Sequence, residues 1–243
     1  MRIPLTKYGW PQVVVFPLVC LAGMVVCPLA GKTFLPLWAI VLIEVLLASV
    51  CIWALTFFRD PYRSPPSAQN LLLAPADGRI TDIEIVEEDN FIGEDAMRVG
   101  IFMSIFNAHI NRAPCNAKVE KITYKKGKYK NAANPQSGQV NESNNLGLVT
   151  TDGPQQRLLV RQISGAIARR IVCQVTEGQV LTGGQKFGMI KFGSRAELYL
   201  PARENVKCLV QVGDKVKAGL TPLVRYEKLN AETRATDDRE QKQ

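Results

Sequence analysis

The chain has 243 residues, a net charge of +8 at neutral pH, six cysteines and a single histidine. That length holds one or two domains, and cysteines scattered without a CxxC pair argue against a disulfide framework and for free thiols in a reducing compartment. The basic excess favours an anionic partner, and with no recognisable nucleic-acid module beside it the charge points away from nucleic acid.

Residues 11 to 58 are overwhelmingly apolar, and residues 1 to 58 predict a membrane-anchoring transmembrane helical hairpin. Leu35 to Phe58 reaches roughly 36 Å at about 1.5 Å per residue, enough to cross a bilayer. Its one charge, Glu44, costs about 2.5–3.5 kcal/mol on insertion scales, while its many Leu, Ile, Val and Phe residues each return roughly 0.3–0.6 and outweigh it. Val13 to Ala30 is interrupted by Pro17, Gly23 and Pro28 yet still reaches about 27 Å. Only Gly31-Lys32-Thr33 joins the two. A secretory signal peptide competes for the first segment, but a second apolar span follows it instead of a polar mature start. Arg2 and Lys7 precede the hairpin and Arg59 and Arg63 follow it, against Lys32 alone in the turn. That bias puts both ends, and the domain beyond, on the cytoplasmic side of the cell (inner) membrane. The prolines leave a hairpin dipping into one leaflet as the alternative.

Arg59-Asp-Pro-Tyr-Arg-Ser-Pro-Pro-Ser reads as a rigid linker, because prolines 61, 65 and 66 stop the helix. Residues 59 to 226 then predict a mainly β domain, sandwich- or barrel-like with minor helix. Alternation marks strands at 79–86, 118–124 and 195–200, and apolar runs add 98–104 and 157–163. A helix is expected within 162–173, where Gly165-Ala-Ile-Ala-Arg-Arg-Ile permits it. Residues 127–145, rich in Asn, Gly and Ser, predict a loop. The lysines at 118, 121, 125, 126, 128 and 130 form either a solvated face or a surface for anionic headgroups, worth about 1 kcal/mol per basic residue. Glycines stand six apart at 178 and 184, and again at 213 and 219, which predicts two similar hairpin turns. These resemble turns of biotinyl- and lipoyl-carrier domains, but no carrier-lysine motif accompanies them. Residues 227–243 are charged, nearly without apolar side chains, and predict a disordered tail.

Three segments carry candidate chemistry: Ala74-Pro-Ala-Asp-Gly-Arg, Asn107-Ala-His-Ile-Asn-Arg-Ala-Pro and Lys191-Phe-Gly-Ser-Arg. They supply an acid in Asp77, the one imidazole in His109 and a serine in Ser194. Each has a plain structural reading, as an Asp-Gly turn, a core histidine and a Gly-Ser turn. Together they also suit a hydrolase triad, though no Gly-x-Ser-x-Gly elbow is present. A membrane-anchored adaptor without catalysis is the reading from another class.

These segments, with Phe57-Phe-Arg-Asp-Pro-Tyr-Arg-Ser-Pro-Pro and Asn141-Glu142, occur in the order found in phosphatidylserine decarboxylases. The chain resembles the short-form proenzymes of that family over about 57 to 226. The resemblance implies a zymogen that breaks itself between Gly193 and Ser194 without hydrolysis, through an ester formed by the Ser194 hydroxyl on the Gly193 carbonyl. The products would be a β chain, 1 to 193, and an α chain, 194 to 243, joined as a heterodimer or a higher oligomer. Ser194 would become a pyruvoyl group, the electron sink that turns phosphatidylserine into phosphatidylethanolamine and CO2, with no metal and no pyridoxal phosphate. His109 fits the base that a poor serine nucleophile requires, and Asp77 would fix its tautomer and stabilise its imidazolium form. Longer members carry a second histidine three positions later, where Arg112 stands here. His109 would then serve both maturation and turnover, and Arg112, with Asn111, would contact the substrate phosphate or carboxylate.

Overall fold

A computed structural model describes residues 4–66, 70–130, 137–152, 155–165, 170–191 and 194–227. The predicted tail beyond 227 and Gly193 lie outside the described residues. Two long helices come first, α1 (Gln12–Gly31) and α2 (Leu37–Phe57). They pack side by side, with Gly23 so close to Leu47 that an added Cβ would sit 3.1 Å from it. Both are long and apolar enough to cross a membrane and bury little of their surface in the protein, which fits membrane association. Their outer ends meet: Leu5 bridges Arg59, Thr6 N–H donates to the Phe58 carbonyl and Asp60 N–H to that of Pro4.

The remainder is mainly β. In chain order the strands are β1 (Leu71–Leu73), β2 (Gly78–Glu88), β3 (Glu94–Met103), β4 (Ile110–Arg112) and β5 (Ala117–Lys125). A short helix α3 (Ser137–Val140) leads to β6 (Ser143–Thr150), β7 (Arg157–Ser164), β8 (Arg170–Cys173), β9 (Val180–Leu181) and β10 (Lys186–Lys191). The chain closes with β11 (Ser194–Pro201), β12 (Val206–Cys208), β13 (Lys215–Val216) and β14 (Pro222–Tyr226). Eight strands form one curled half-barrel in the order β13-β2-β3-β11-β7-β6-β5-β9. Two three-stranded sheets, β1-β14-β12 and β4-β10-β8, accompany it.

Alternation explains the large sheet. In β11, Ala196, Leu198 and Leu200 enter the main core with Val99, Ile101 and Met103 of β3 and Leu158 and Val160 of β7. The intervening Arg195, Glu197 and Tyr199 point to the other face and are buried too, which makes β11 the most enclosed strand. The predicted strands all form. Of the stretch 162–173, part of which is expected to be helical, Gln162–Ser164 continue β7 and Arg170–Cys173 form β8, paired with β11 and β10. Residues 166–169 lie outside the described set. The expected 127–145 loop is interrupted by α3 and the start of β6. The two glycine pairs hold positive φ at all four positions, 86° and 76° at 178 and 184, 100° and 69° at 213 and 219, a conformation glycine alone adopts cheaply.

Candidate active site

Ser194 begins β11 and is fully buried. It pairs with Met103 on one side and Ser164 on the other, and its Oγ donates to Met103 Sδ at 3.3 Å. Beyond Ser164 the row continues to Glu142, whose carbonyl accepts from both the Ser164 N–H and its hydroxyl. The neighbouring row on the same face is amide-lined: Asn144 Nδ2 donates to Gln162 Oε1, Gln162 Nε2 to Asn111 Oδ1, and Asn111 Nδ2 to the Pro75 carbonyl. All four of Ser164, Asn144, Gln162 and Asn111 are buried, so a hydrogen-bonded polar floor lies where alternation would otherwise place aliphatic core.

His109 precedes β4, and its carbonyl accepts from Ile190 N–H in β10 at 3.4 Å. That register sets it beside the strand leading into Ser194. Its ring is fully buried and stacked on Phe57 of α2, centroids 4.2 Å apart and planes 30° apart. Nδ1 lies 2.9 Å from the Asn107 carbonyl. A carbonyl only accepts, so Nδ1 carries the proton and Nε2 is bare. Nε2 is buried and has no hydrogen-bond partner among the described residues. Burial pushes the pKa down from 6.5 to about 4; the Asn107 bond and the Asp77 charge resist, and Arg59 pushes the same way as burial. At neutral pH this is an uncharged imidazole with its lone pair free, the form a general base requires.

Asp77 does not bond to His109 as expected. Both its oxygens take Arg63 of the linker, at 2.5 and 2.6 Å, and Oδ1 also accepts from Ala218 N–H. The tautomer-fixing task therefore falls to the Asn107 carbonyl, and Asp77 acts on the ring only through its charge. Arg112 is likewise engaged: it donates to the carbonyls of Gly184 and Pro61 at 3.0 Å and lies 3.5 Å from Asp60. It fastens the linker to the turn before β10, leaving little of its fork for a substrate. Replacing Arg112 by Ala is expected to lower the melting temperature, with a cost of about 1–3 kcal/mol from carbonyls left buried, and to leave KM within a factor of about 2.

Residue chemistry alone missed several participants. Phe57 lay in an apolar helix, where an aromatic carries no distinguishing signal. Lys191 is buried and donates to Gln12 Oε1 at the start of α1, so each helix of the hairpin touches the site. Arg195, adjacent to Ser194, is fully buried on the opposite face, bonded to Asp82, Glu197 and Thr81 at 2.6–2.7 Å. Gly100 makes room for it, since a Cβ there would fall 2.0 Å from Arg195 Nη2. Glu142 is also buried; Oε1 accepts from Tyr124 OH at 2.6 Å, and Oε2 has no hydrogen-bond partner among the described residues. The Asn141-Glu142 pair stands among the segments of the resemblance, with no role assigned to it there.

Residues 51–223 match the family model for phosphatidylserine decarboxylase. The phosphatidylserine decarboxylase proenzyme of Symbiobacterium thermophilum is 41% identical over 226 residues, covering 93% of this chain and 97% of that protein. The proenzyme of Rhodopirellula baltica is 38% identical over 225 residues, covering 93% and 89%. That of Desulfotalea psychrophila is 43% identical over 171 residues, covering 70% and 78%. A buried serine, a buried bare imidazole and these likenesses over most of the length lead to one assignment: the chain belongs to the phosphatidylserine decarboxylase family and is a decarboxylase.

Proposed function

We propose that the chain is a zymogen that breaks itself between Gly193 and Ser194, and then decarboxylates phosphatidylserine to phosphatidylethanolamine with a pyruvoyl group made from Ser194. The observation that carries this reading is the uncharged, buried His109 with a bare Nε2 beside the strand that leads into Ser194. Nε2 takes the Ser194 hydroxyl proton as Oγ bonds to the Gly193 carbonyl carbon, and returns it to the Ser194 nitrogen as the Gly193–Ser194 C–N bond breaks, leaving an ester and a free amine. Loss of the Ser194 α-proton then releases the Gly193 carboxylate, and hydrolysis of the remaining dehydroalanine gives ammonia and the ketone. The products are a β chain of 1–193 and an α chain of 194–243, held as a heterodimer.

A pyruvoyl ketone supplies a sink for the electron pair left when CO2 departs from an amine-bearing substrate. The residues around Ser194 fit such a group: the site is enclosed, and Glu142 Oε2 offers an unsatisfied acceptor to a substrate ammonium. His109, relieved of its first task once Ser194 has lost its hydroxyl, returns a proton to the product. The hydrolase alternative is weakened by Asp77, whose carboxylate is committed to Arg63. The two apolar helices support a membrane-bound enzyme meeting its lipid on the cytoplasmic side of the inner membrane. Intact mass under denaturing conditions tests the reading. Chains of 1–193 and 194–243, the second with a blocked N-terminus, are expected; one full-length chain in active protein would overturn it.

The pH dependence follows from the imidazole. Conversion should run at a constant rate from neutrality to about pH 5 and fall as pH drops through about 4, where the lone pair is lost. Because the folded ring holds a proton less readily than the unfolded one, its stability contribution is complete above about pH 6.5 and is lost as pH falls from there to about 4. Replacing Phe57 by Ala admits water to the ring and should move the rate midpoint upward toward 6.5. Gel-followed conversion across pH measures both; an unmoved midpoint would remove Phe57 from this role.

A further inference from the structure

The loop between β3 and β4 has a feature that the reaction does not use. Ser104 to Asn107 form a tight turn: Asn107 N–H donates to the Ser104 carbonyl, and Ser104 N–H donates to Asn107 Oδ1. The turn holds Phe106 outward, 71% exposed. Two bonds tie it to the end of α2. Trp53 Nε1 donates to the Ile105 carbonyl at 3.3 Å, and Arg59 Nη2 donates to the Phe106 carbonyl at 2.8 Å while Nη1 holds the Thr56 carbonyl.

Those bonds fix the height of the loop relative to a bilayer. A helix of 21 residues is about 31 Å long at about 1.5 Å per residue, against a hydrocarbon core of about 30 Å. Phe57 at its end is fully enclosed, among Tyr8, Phe58, Ile110 and Met189, so the lipid boundary falls about one turn earlier, at Trp53. Tryptophan and arginine are the side chains that settle at that boundary. Trp10, at the start of α1, is also exposed, at 67%. The bonds to the Ile105 and Phe106 carbonyls set an exposed phenyl ring at this depth.

We propose that the Ser104–Ala108 loop is a third membrane contact, its Phe106 ring inserted among the headgroups and upper acyl chains of the bilayer beside α2. The occupant is the lipid surface, because the two bonds to α2 leave the ring no other solvent to face at that height. His109 follows three residues later, so the serine headgroup of a lipid still seated in the bilayer enters the site beside the loop. This delivery role rests on the membrane and decarboxylase readings above.

The test uses the full chain in phosphatidylcholine vesicles. The parent carries Trp10, Trp38 and Trp53, and their quenching by brominated lipid reports hairpin insertion by itself. The emission added by Phe106→Trp should be quenched by lipid brominated near the glycerol, less by lipid brominated near the chain end, and not by aqueous iodide. Quenching by iodide without an effect of brominated lipid would overturn the proposal. Protection from both would assign the ring to a protein surface, such as a second copy, and overturn it equally. In the second arm, Phe106→Asp should raise KM for vesicle-borne phosphatidylserine about tenfold and leave turnover of a short-chain, water-soluble serine phospholipid unchanged. Equal losses on both substrates would remove the delivery role, whatever the quenching shows.

Discussion

Replacing Ser194 by Ala is expected to leave a single 243-residue chain with no decarboxylase activity, and replacing His109 by Ala to slow conversion by about 10²–10⁴-fold. The first effect is absolute, because without Oγ there is neither an attacking atom nor a precursor of the ketone. The second is finite, because the strand geometry around Ser194 survives the loss of a base. His109 is hydrogen-bonded at Nδ1 and stacked on Phe57, so Ala leaves a cavity as well. His109→Gln fills that space without offering a base and separates the two causes. If the Gln chain converts at the parental rate, His109 is not the base. If Gln is as slow as Ala, while both variants keep the parental melting temperature within a few degrees, proton transfer is the loss. Denaturing gels over time give the rates.

Replacing Arg195 by Met should be the most destabilising single change in the β domain. Met matches the stem in volume but leaves the carboxylates of Asp82 and Glu197, 6% and under 1% exposed, without their shared cation. Removing one partner of a buried ion set costs about 3–5 kcal/mol. The desolvated guanidinium keeps its proton because Glu197 and Asp82 raise its pKa, and Asp82 is correspondingly lowered by Arg195 and Arg98. Thermal unfolding in detergent measures the loss. A melting temperature unchanged from the parent would mean that Arg161, 3.8 Å from Glu197, and Arg98, 3.3 Å from Asp82, already neutralise the pair. Pairing Arg195→Met with Asp82→Asn and Glu197→Gln should recover most of the stability, since the uncompensated charges go with it.

The β architecture was legible wherever one face of a strand is apolar and the other polar, as at 79–86 and 118–124. β11 was legible for the same reason, although its polar face proves to be buried and to hold ions. At the two ends of 162–173 the pairing partners, distant in sequence, decide for strand; the middle of the expected helix lies outside the described residues. Of the site, Ser194 and His109 could be named from their chemistry, a nucleophile and the only imidazole. Asn111 was named as a substrate contact, but its link through Gln162 to Asn144 could not be read, because the members are 18 and 51 residues apart and Gln162 and Asn144 each read as an ordinary polar side chain. Asp77 was placed on the wrong partner for a similar reason: the linker carries Arg63 back over the turn, and no local pattern records that path.

The position of β11 sets an order of events. It lies between β3 and β7, paired over eight residues with one and six with the other, and both neighbours belong to the part of the chain that precedes Ser194. Farther on, β14 pairs with β1 and β13 with β2. The stretch from Ser194 to Tyr226 is thus woven into the sheets rather than appended to them. A break at its head, as proposed, would cut the covalent path without freeing either half, and no disulfide is needed to keep them together. Folding would then precede the chemistry, since a 194–243 fragment made separately would have to find a slot between β3 and β7 in the middle of a sheet. The cleaved form would be an assembly that inherits its topology from a single chain, and once unfolded it would lack the intramolecular tether that made the topology reachable.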